Sequence, residues 1–528
     1  MRSPRCGHCS EWCIVLRVTV DHEFPGAAAM LRDYPLGSTF GGGAHSVISS
    51  LPTLHDVIGY EEKAPEVIAQ LHQGYPRFMR HFFVERLCKT LATQHGWGDA
   101  YVCPVSGDAA AVRLRQFAGR VLAETVEDGF HVLVFKHGTL SAARARNFLQ
   151  HTGVQISSRQ AEDWLHMRGL ASEPAPEPSF VEGDSREAVC TAIQPWLGDA
   201  TREDLVLTCG GANAFWSAYE AISSLQAERG RSQWLQLGWL YVDSTLVLER
   251  FGPDDEAPVK WLDGTGLDAL IAYLDEHGAQ VAGVAVEAPS NPLLETCDLA
   301  RLAGATQRCG AKLLIDPTVA SIVNVDVMPY ADVLVCSLTK YAARAADVLA
   351  GVAAVHPGRA DSAELAVRIR ALATPAYPRD AARLAHEISD WADFVQRVNS
   401  NAVALAAHLE KNPKVERVRH ALQPSACDCY TRIARCSNSP GALMSISVRG
   451  DMAHFFDALR VAKAASFGAE FTIAAPFLYL AHYDLVSTPQ GRAELRALGI
   501  DPDLVRVSVG AEPIDQLIAN FDAALAQL

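Results

Sequence analysis

The sequence lacks what a membrane protein or a nucleic-acid-binding protein needs. No run approaches the ~20 consecutive apolar residues of a membrane span. Basic residues are too few, because 46 Lys and Arg stand against 61 Asp and Glu and leave a formal net charge of −15. Nucleic acids and anionic membranes would repel such a chain, so neither is predicted as a partner. The first residues also lack the long apolar stretch of a secretory signal.

An evenly paired set of cysteines is absent too. The 13 cysteines are odd in number and scattered, which argues against a disulfide framework and favours a reducing, cytoplasmic location. Cys6 and Cys9 have the C-x-x-C spacing of a thiol redox pair, but no strand precedes them as it does in thioredoxin-like units. The leader that carries them is predicted to be disordered, with Met30 as an alternative start.

The chain is long, and its fractions of hydrophobic and charged residues are those of an ordinary globular protein. Its 528 residues are 49% hydrophobic and 20% charged, enough to bury a large core without a metal ion or a disulfide. From about residue 200, apolar runs such as DLVLTCGG, AGVAVEAPS and ADVLVCSLTK are separated by segments of helical periodicity. This alternation predicts an α/β fold with a mostly parallel sheet covered by helices. A helix over residues 110–124 is also predicted, and so is a smaller C-terminal α+β region.

Candidate site residues follow the ends of these strands, where ligands of open α/β sheets bind. Gly210 and Gly211 end one strand and open a helix, whose first amides suit a phosphate. Asp316 ends a second strand and Lys340 follows a third, and both are costly in an apolar sheet unless they are paired. The G-x-G-x-x-G pattern of dinucleotide sites is missing here, which argues against a dehydrogenase.

Two interpretations of Asp316 and Lys340 follow from their chemistry. One is a buried ion pair. The other is a pyridoxal 5′-phosphate (PLP) site, in which a lysine forms the internal aldimine, a carboxylate keeps the pyridine nitrogen protonated, and hydroxyls and amides hold the phosphate.

Longer motifs decide between these interpretations. The runs VEAPSNPLLETCDL, LLIDPTVASIVNVDVMPYADVLVCSLTK and LVRVSVGAEPIDQL occur in the order and spacing of the cystathionine γ-synthase family, which the sequence resembles. SLPTLHDVIGYEE and FDALRVAKAASFGAEFTIAAPFLYLAHY are similar to the longer, fungal-type members. The resemblance extends from about residue 45 to the C-terminus. It implies PLP as the cofactor, the fold of type I PLP-dependent transferases, and no metal site.

The resemblance also implies a role for each candidate residue. Lys340 would bind the cofactor and move protons, and Tyr241 would stack on the cofactor ring and assist proton transfer. Arg506 would bind the substrate α-carboxylate, Ser466 lies in the loop that helps to close over it, and Asn291 would contact the substrate as well. The other contacts implied are Asp316 with the ring nitrogen, Asn291 with the phenolic oxygen, Gly211, Ala212, Ser337 and Thr339 with the phosphate, and Tyr75 and Arg77 with the phosphate of a neighbouring subunit's cofactor.

A homodimer or homotetramer with shared active sites is therefore expected. The expected domains are a leader (1–44), an N-terminal segment that contacts the neighbouring subunit (45–100), an additional α/β region (101–190), a PLP-binding large domain (191–385) and a C-terminal small domain (386–528).

The activity implied is γ-replacement on a homoserine-derived amino acid, through a vinylglycine-type ketimine. Departures from the family pattern favour a changed substrate: Gly210 and Ala212 at the phosphate turn, DPT at Asp316, the segment 341–347 after the lysine, and Glu470 near the substrate loop. One alternative is therefore an enzyme that uses S-adenosylmethionine or an activated homoserine as a four-carbon donor to a carbon nucleophile, such as a nicotinamide-type ring. A second alternative is a PLP-binding regulator without turnover.

Overall fold

The computed structural model of the chain describes residues 30–40, 43–75, 79–252, 257–262, 266–424 and 427–528. Residues 1–29 of the predicted leader, with Cys6 and Cys9, lie outside these residues, whereas its residues 30–40, 43 and 44 are described, and Tyr34 and Phe40 are buried. Within them, nine cysteines are free thiols. No helix in these ranges combines the length and the apolarity that crossing a bilayer requires.

The segment before residue 100 packs on the C-terminal part of its own chain through residues 51–71, and on the region that follows it through its last helix. Its helices are α1 (Leu54–Glu61), α2 (Pro65–Ile68) and α3 (Phe82–Gln94). Thr53 caps α1 through a reciprocal capping box with Asp56. Leu51 and Val57 are buried in one hydrophobic cluster with residues of the C-terminal sheet. The burial of these side chains holds the segment in place.

An additional α/β region follows. It comprises β1 (Ala100–Val105), α4 (Asp108–Ala118), β2 (Ala123–Glu127), β3 (Phe130–Lys136), α5 (Leu140–Thr152) and α6 (Ser158–Met167). The strands form an antiparallel sheet in the order β1-β3-β2. The helix predicted over 110–124 ends earlier, at Ala118, and its last residues belong to β2. Gly119 ends the helix because its φ of 84° is one that other residues rarely adopt.

The central part of the chain forms the large sheet and the helices around it. Its elements are α7 (Ser185–Ile193), β4 (Leu205–Thr208), α8 (Gly211–Ala227), β5 (Gln233–Leu237), α9 (Val242–Arg250), β6 (Val259–Trp261), α10 (Gly266–His277), β7 (Val281–Glu287), α11 (Leu299–Cys309), β8 (Lys312–Asp316), β9 (Val333–Ser337), β10 (Gly351–Val355), α12 (Ser362–Leu372) and α13 (Pro378–Glu387).

This sheet has seven strands in the order β4-β10-β9-β8-β7-β5-β6. All its pairs are parallel except those of β10, which runs antiparallel to both β4 and β9. Every residue of β7 is buried, as expected for a strand covered by helices on both faces. The predicted fold, a mostly parallel sheet covered by helices, is confirmed.

The C-terminal part is a smaller α+β unit, also as predicted. It contains α14 (Trp391–Leu409), β11 (Val415–Arg419), α15 (Cys427–Ile433), β12 (Leu443–Val448), α16 (Met452–Ala458), β13 (Ala462–Lys463), β14 (Ile473–Pro476), α17 (Phe477–Ala481), α18 (Tyr483–Val486), α19 (Pro489–Ala497), β15 (Val505–Ser508) and α20 (Ile514–Ala526). Its five strands are ordered β11-β12-β15-β14-β13.

A buried ionic cluster joins the additional region to the large sheet. Arg159, in α6, has almost no exposed surface and donates to Glu177, Asp347 and Asp380 at 2.7, 3.3 and 3.0 Å. Asp347 also accepts a bond from Arg383 of α13 at 2.9 Å. Each of these charges depends on the others, because a buried ion is stable only when it is paired and hydrogen-bonded. We call these residues the Arg159 cluster.

Candidate active site

The parallel strands place several polar residues at one edge of the large sheet. Glu287 and Asp316 end the adjacent strands β7 and β8 in matching register, and Ser337 ends β9. Lys340 follows in the next turn. A pocket at this edge is lined by these residues, by Gly211 at the start of α8 and by residues of the C-terminal sheet. The structure therefore brings Asp316 and Lys340 together, as the sequence predicts.

Lys340 lines this pocket with 7% of its surface exposed. Its Nζ donates to Ser466 Oγ at 2.9 Å and to Tyr75 Oη at 3.3 Å, and it lies 4.5 Å from the centre of the Tyr75 ring. Burial, with a smaller effect from Arg506, lowers the pKa of Lys340 to about 7. A large fraction of this amine is therefore neutral near pH 7, the form that acts as a nucleophile or a base.

We expect the rate at which the apo chain binds PLP covalently to rise with pH through about 7, and to level off above pH 8. The reason is that only the neutral amine attacks the PLP aldehyde, and the pKa of Lys340 is lowered to about 7. The measurement is the visible absorbance of PLP-reconstituted protein between pH 5.5 and 10. A rate that keeps rising to pH 10, as for an ordinary lysine amine, would contradict the lowered pKa.

Two carboxyl groups lie side by side at the ends of β7 and β8, in the pocket that Lys340 also lines. Burial raises the pKa of Asp316 to about 6, although hydrogen bonds from Thr318 oppose the shift. Burial and the neighbouring Asp316 raise the pKa of Glu287 well above its usual value, so Glu287 carries the proton of the pair. Asp316 is then the group that ionises when a cationic ring nitrogen approaches. Its Oδ1 accepts the Thr318 N–H at 2.8 Å, which fixes the carboxylate's orientation.

A cradle for a phosphate forms where α8 begins. The amides of Gly211 and Ala212 point out of the first turn of a 17-residue helix, whose dipole favours an anion. Ser337 Oγ is buried beside them, and within the described structure it has no hydrogen-bond partner. A Cβ at Gly211 would lie 2.6 Å from Ser337 Cβ, so the two elements approach closely only because residue 211 is glycine. The Ser337 hydroxyl, the amides of Gly211 and Ala212 and the Asp316 carboxyl line one pocket, and together they are the groups that PLP needs for its phosphate and its ring nitrogen.

We expect Gly211→Ala to weaken PLP binding about tenfold or more. The added methyl group would collide with Ser337 at a cost of ~1–3 kcal/mol and would push α8 away from it. Gly210→Ala is the matched control, since Gly210 has an extended φ of 177° and a Cβ there would contact nothing within 4 Å. PLP affinity is measured by equilibrium dialysis of both variants. Equal affinities would contradict the proposed cradle.

The C-terminal sheet contributes Arg506, on β15, to the opposite side of the pocket. Its guanidinium is 6% exposed and donates to Asn291 Oδ1 at 3.3 Å and to the Ser466 carbonyl at 3.0 Å. Burial lowers its pKa to about 10, so it stays a cation at neutral pH. The rings of Phe467 and Phe477 lie 5.4 and 4.7 Å from it. A buried cation with this fork geometry suits a carboxylate.

The structure also places the remaining predicted residues. Tyr241 precedes α9 and lines the pocket, and its backbone N–H donates to Glu287. The Thr339 hydroxyl donates to the Ala350 carbonyl at 3.2 Å and accepts the Ala350 N–H at 3.0 Å. Thr339 also lines an adjoining cavity. Arg77 lies outside the described residues. The roles implied for all of them remain predictions.

Two features of the pocket were missed from the sequence. Glu287 ends an apolar strand just as Asp316 does, so the same strand-end signal could have identified it. The apolar wall formed by Phe467, Phe477 and Leu480 carries no such signal, because these residues look like ordinary core. Glu470 turns out to lie 3.8 Å from Arg344 in the segment after the lysine, and burial raises its pKa to about 7.

Comparisons with known proteins identify the family of the chain. Residues 203–526 match the family model described as Cys/Met metabolism PLP-dependent enzyme. The L-2-amino-4-chloropent-4-enoate dechlorinase/desaturase of Streptantibioticus cattleyicolor is 38% identical over 92% of this chain and 97% of its own length. The cystathionine γ-synthase of Neurospora crassa is 29% identical over 62% of this chain and 53% of its own length.

Among solved structures, cystathionine γ-synthase from Xanthomonas oryzae pv. oryzae in complex with cystathionine is similar with a TM-score of 0.55. The match covers 65% of this chain and 86% of that one at 24% identity, which supports the fold alone.

Proposed function

Because the chain belongs to the family of Cys/Met metabolism PLP-dependent enzymes, with PLP as its cofactor, we propose that it removes a leaving group from the γ-carbon of a small L-amino acid. The observation that carries the proposal is the convergence of a neutral lysine, a buried arginine and an acid pair in one pocket. When bound, the cofactor withdraws electrons from the substrate's α-carbon, which makes the α-hydrogen acidic.

The chain's own residues supply positioning and proton transfer. Arg506 binds the α-carboxylate, and the Asn291 and Ser466 contacts hold the guanidinium in place. With its amine free, Lys340 Nζ would take the α-proton, give it up to the bound cofactor, and, neutral again, would take a β-proton. Its low pKa suits a base that must give these protons back at neutral pH. The γ-leaving group then departs with its bonding electrons.

The shape of the pocket favours elimination from a single substrate over addition of cysteine. Among the described residues that line the pocket, Lys340 and Arg506 are the basic ones, and in this proposal Lys340 is already used for proton transfer. A second amino acid would bring its own carboxylate to a wall of Phe467, Phe477 and Leu480, where an unpaired charge is costly. The dechlorinase relative is named for a substrate with chlorine at carbon 4, the γ-position. An apolar, halogen-bearing side chain suits this wall.

A substrate screen tests the proposal. The holoenzyme is incubated with L-2-amino-4-chloropent-4-enoate, O-acetyl-, O-succinyl- and O-phosphohomoserine and S-adenosylmethionine, each with and without cysteine. Mass spectrometry identifies products, and ion chromatography follows the released anion. We expect leaving-group release without cysteine. Racemisation of the substrate with no release would overturn γ-elimination.

A second candidate is γ-replacement, as in cystathionine γ-synthases. It is supported by the long matched segment shared with the Neurospora crassa cystathionine γ-synthase. Cystathionine formed only when cysteine is present would favour it. Attachment of the four-carbon unit of S-adenosylmethionine to a carbon nucleophile would favour the annulation alternative. The joint burial of Lys340 and Arg506 in one pocket argues for turnover and against a PLP-binding regulator.

A further inference from the structure

The additional region approaches the candidate cofactor site through the C-terminal turn of α5. This turn consists of His151, Thr152 and Gly153, and we call it the α5 turn. Both His151 and Thr152 are buried. The turn contacts the helix that forms the phosphate cradle and the helix that follows Tyr241. It is therefore a candidate support for the cofactor site.

The α5 turn bonds the two elements that form the phosphate cradle. The Gly153 carbonyl accepts the Cys209 thiol at 3.2 Å, and Cys209 directly precedes the glycines of the cradle. In the first turn of α8, the Asn213 side chain donates to the Thr152 carbonyl at 3.3 Å and accepts the Thr374 N–H at 2.8 Å. Asn213 has no exposed surface. These bonds fix the first turn of α8 relative to the α5 turn.

Gly153 allows α5 and α8 to approach closely. Its φ of 67° ends α5 in the left-handed conformation that favours glycine. A Cβ at this position would lie 3.3 Å from both Ala212 Cβ and the Asn213 backbone nitrogen. Ala212 is one of the departures from the family pattern, and a larger side chain there would compete with the α5 turn for the same space. The small residue in the cradle therefore suits the presence of the additional region.

The α5 turn also bonds the start of α9. His151 Nδ1 lies 2.9 Å from Asp243 Oδ1, and both side chains are only 2% exposed. Arg250, the last residue of α9, donates to His151 Nε2 at 3.1 Å. Because an arginine side chain can only donate, Nε2 accepts, and the ring hydrogen on Nδ1 is donated to Asp243. His151 thus joins both ends of α9 to the additional region.

Asp243 stands two residues after Tyr241, which the resemblance places on the cofactor ring. Both residues line one small cavity with Gly211 and Ala212 of the cradle. We propose that His151 is a positioning residue for the cofactor site, which sets the position of Tyr241 through Asp243 while the rest of the α5 turn supports the cradle. The inference rests on the assignment of this edge of the sheet as the PLP site, and not on the reaction proposed for it.

The loss of the imidazole should be felt at Tyr241. Without His151, the Asp243 carboxylate would lose a buried donor, and a buried acceptor in that position either stays unpaired at a cost or moves toward water. Asp243 lies in the first turn of α9, so its movement would carry the start of the helix with it. Tyr241 immediately precedes that turn.

Variants of His151 test the proposal with the cofactor alone. PLP affinity is measured by equilibrium dialysis, and the orientation of the bound ring is followed by circular dichroism in the visible range. We expect His151→Ala to weaken PLP binding about tenfold and to change the visible spectrum. His151→Asn should restore affinity to within about threefold of the wild type, together with the spectrum, because its amide can donate from the place of Nδ1.

A histidine of the same region provides the matched control. His131 pairs with Asp108 at 2.6 Å, and the Asp108 side chain is 95% exposed, away from the cofactor edge. His131→Ala should therefore bind PLP as the wild type does. The proposal would be overturned by wild-type affinity and spectrum in His151→Ala, or by losses of the same size in His151→Asn or in His131→Ala.

A pair of glycine variants keeps the test open if His151→Ala does not fold. Gly153 and Gly138 have similar φ values, 67° and 74°, but an added Cβ meets a neighbour within 4 Å only at Gly153. We expect Gly153→Ala to bind PLP at least about threefold more weakly than Gly138→Ala, because its methyl group would press on the cradle. Equal affinities in the two variants would overturn the proposal.

Gly211→Ala separates this inference from the assignment of the site. If Gly211→Ala bound PLP as tightly as the wild type, the cradle itself would be wrong, and the role of the α5 turn would fall with it. If Gly211→Ala bound PLP weakly while His151→Ala and Gly153→Ala bound it normally, the cradle would stand and only the role of the α5 turn would be refuted.

Discussion

Replacing Lys340 with alanine is expected to lower turnover by at least about 10³-fold and to abolish covalent cofactor attachment. The amine that contacts both Ser466 and Tyr75 would be gone, and with it the group that we propose binds PLP and moves the substrate's protons. The fold should survive, because a buried amine with a pKa lowered to about 7 leaves no unpaired partner charge when it is removed. Full activity in the variant would refute the mechanism.

The Lys340 experiment has a matched control. Lys260 lies on β6 of the same sheet, where it pairs with Glu249 near the surface. Lys260→Ala should keep the visible absorbance of the bound cofactor and the wild-type turnover number. Cofactor content is read from the visible absorbance before and after borohydride reduction, and folding from circular dichroism. If Lys260→Ala lost the cofactor as Lys340→Ala does, the loss would reflect the stability of the sheet and not the lysine's role.

Arg506→Lys is expected to raise KM strongly, with a fall in kcat/KM of roughly 100-fold, or about 3 kcal/mol. The positive charge remains, but the planar fork that can bind both carboxylate oxygens is lost. Because the substrate's carboxylate is already bound before the reaction, the loss should appear in KM more than in kcat. Cofactor content should be unchanged, since Arg506 contacts Asn291 and Ser466 and not the phosphate cradle.

Two comparisons sharpen the Arg506 experiment. Arg419 is a partly buried arginine of the same sheet that bonds Gly499 and Glu295 outside the pocket. Arg419→Lys should therefore have the KM and kcat of the wild type. A substrate analogue with a carboxamide in place of the α-carboxylate should bind wild type and Arg506→Lys equally poorly. A large difference between the two proteins on the carboxamide would argue that Arg506 binds some other part of the substrate.

Much of this site could be predicted because its residues stand where a simple physical rule applies. Charged residues at the carboxyl ends of buried strands are costly without a function, and that rule identified Asp316 and Lys340. It would have identified Glu287 too. The alternation of apolar runs with helical segments likewise predicted the large sheet, because both faces of its strands are buried.

Other features were not predicted, either because one backbone angle decides them or because they depend on contacts between distant segments. The predicted helix over 110–124 ends at Gly119, whose positive φ ends the helix before a strand begins. The packing of residues 34–52 on the C-terminal sheet is of the second kind. The Thr339 hydroxyl bonds the backbone of Ala350, and the phosphate contact implied for it stays a prediction, as does the role implied for Tyr75.

The Arg159 cluster has a consequence for engineering. A designer who wished to reduce this protein to a minimal scaffold would delete residues 101–190 first, because Lys340 and Arg506 lie outside them. That deletion would remove Arg159 and Glu177 together, leave Asp380 without the arginine it pairs with, and leave Asp347 with Arg383 alone. The deletion is therefore expected to succeed only when Asp380 is replaced by a neutral residue at the same time.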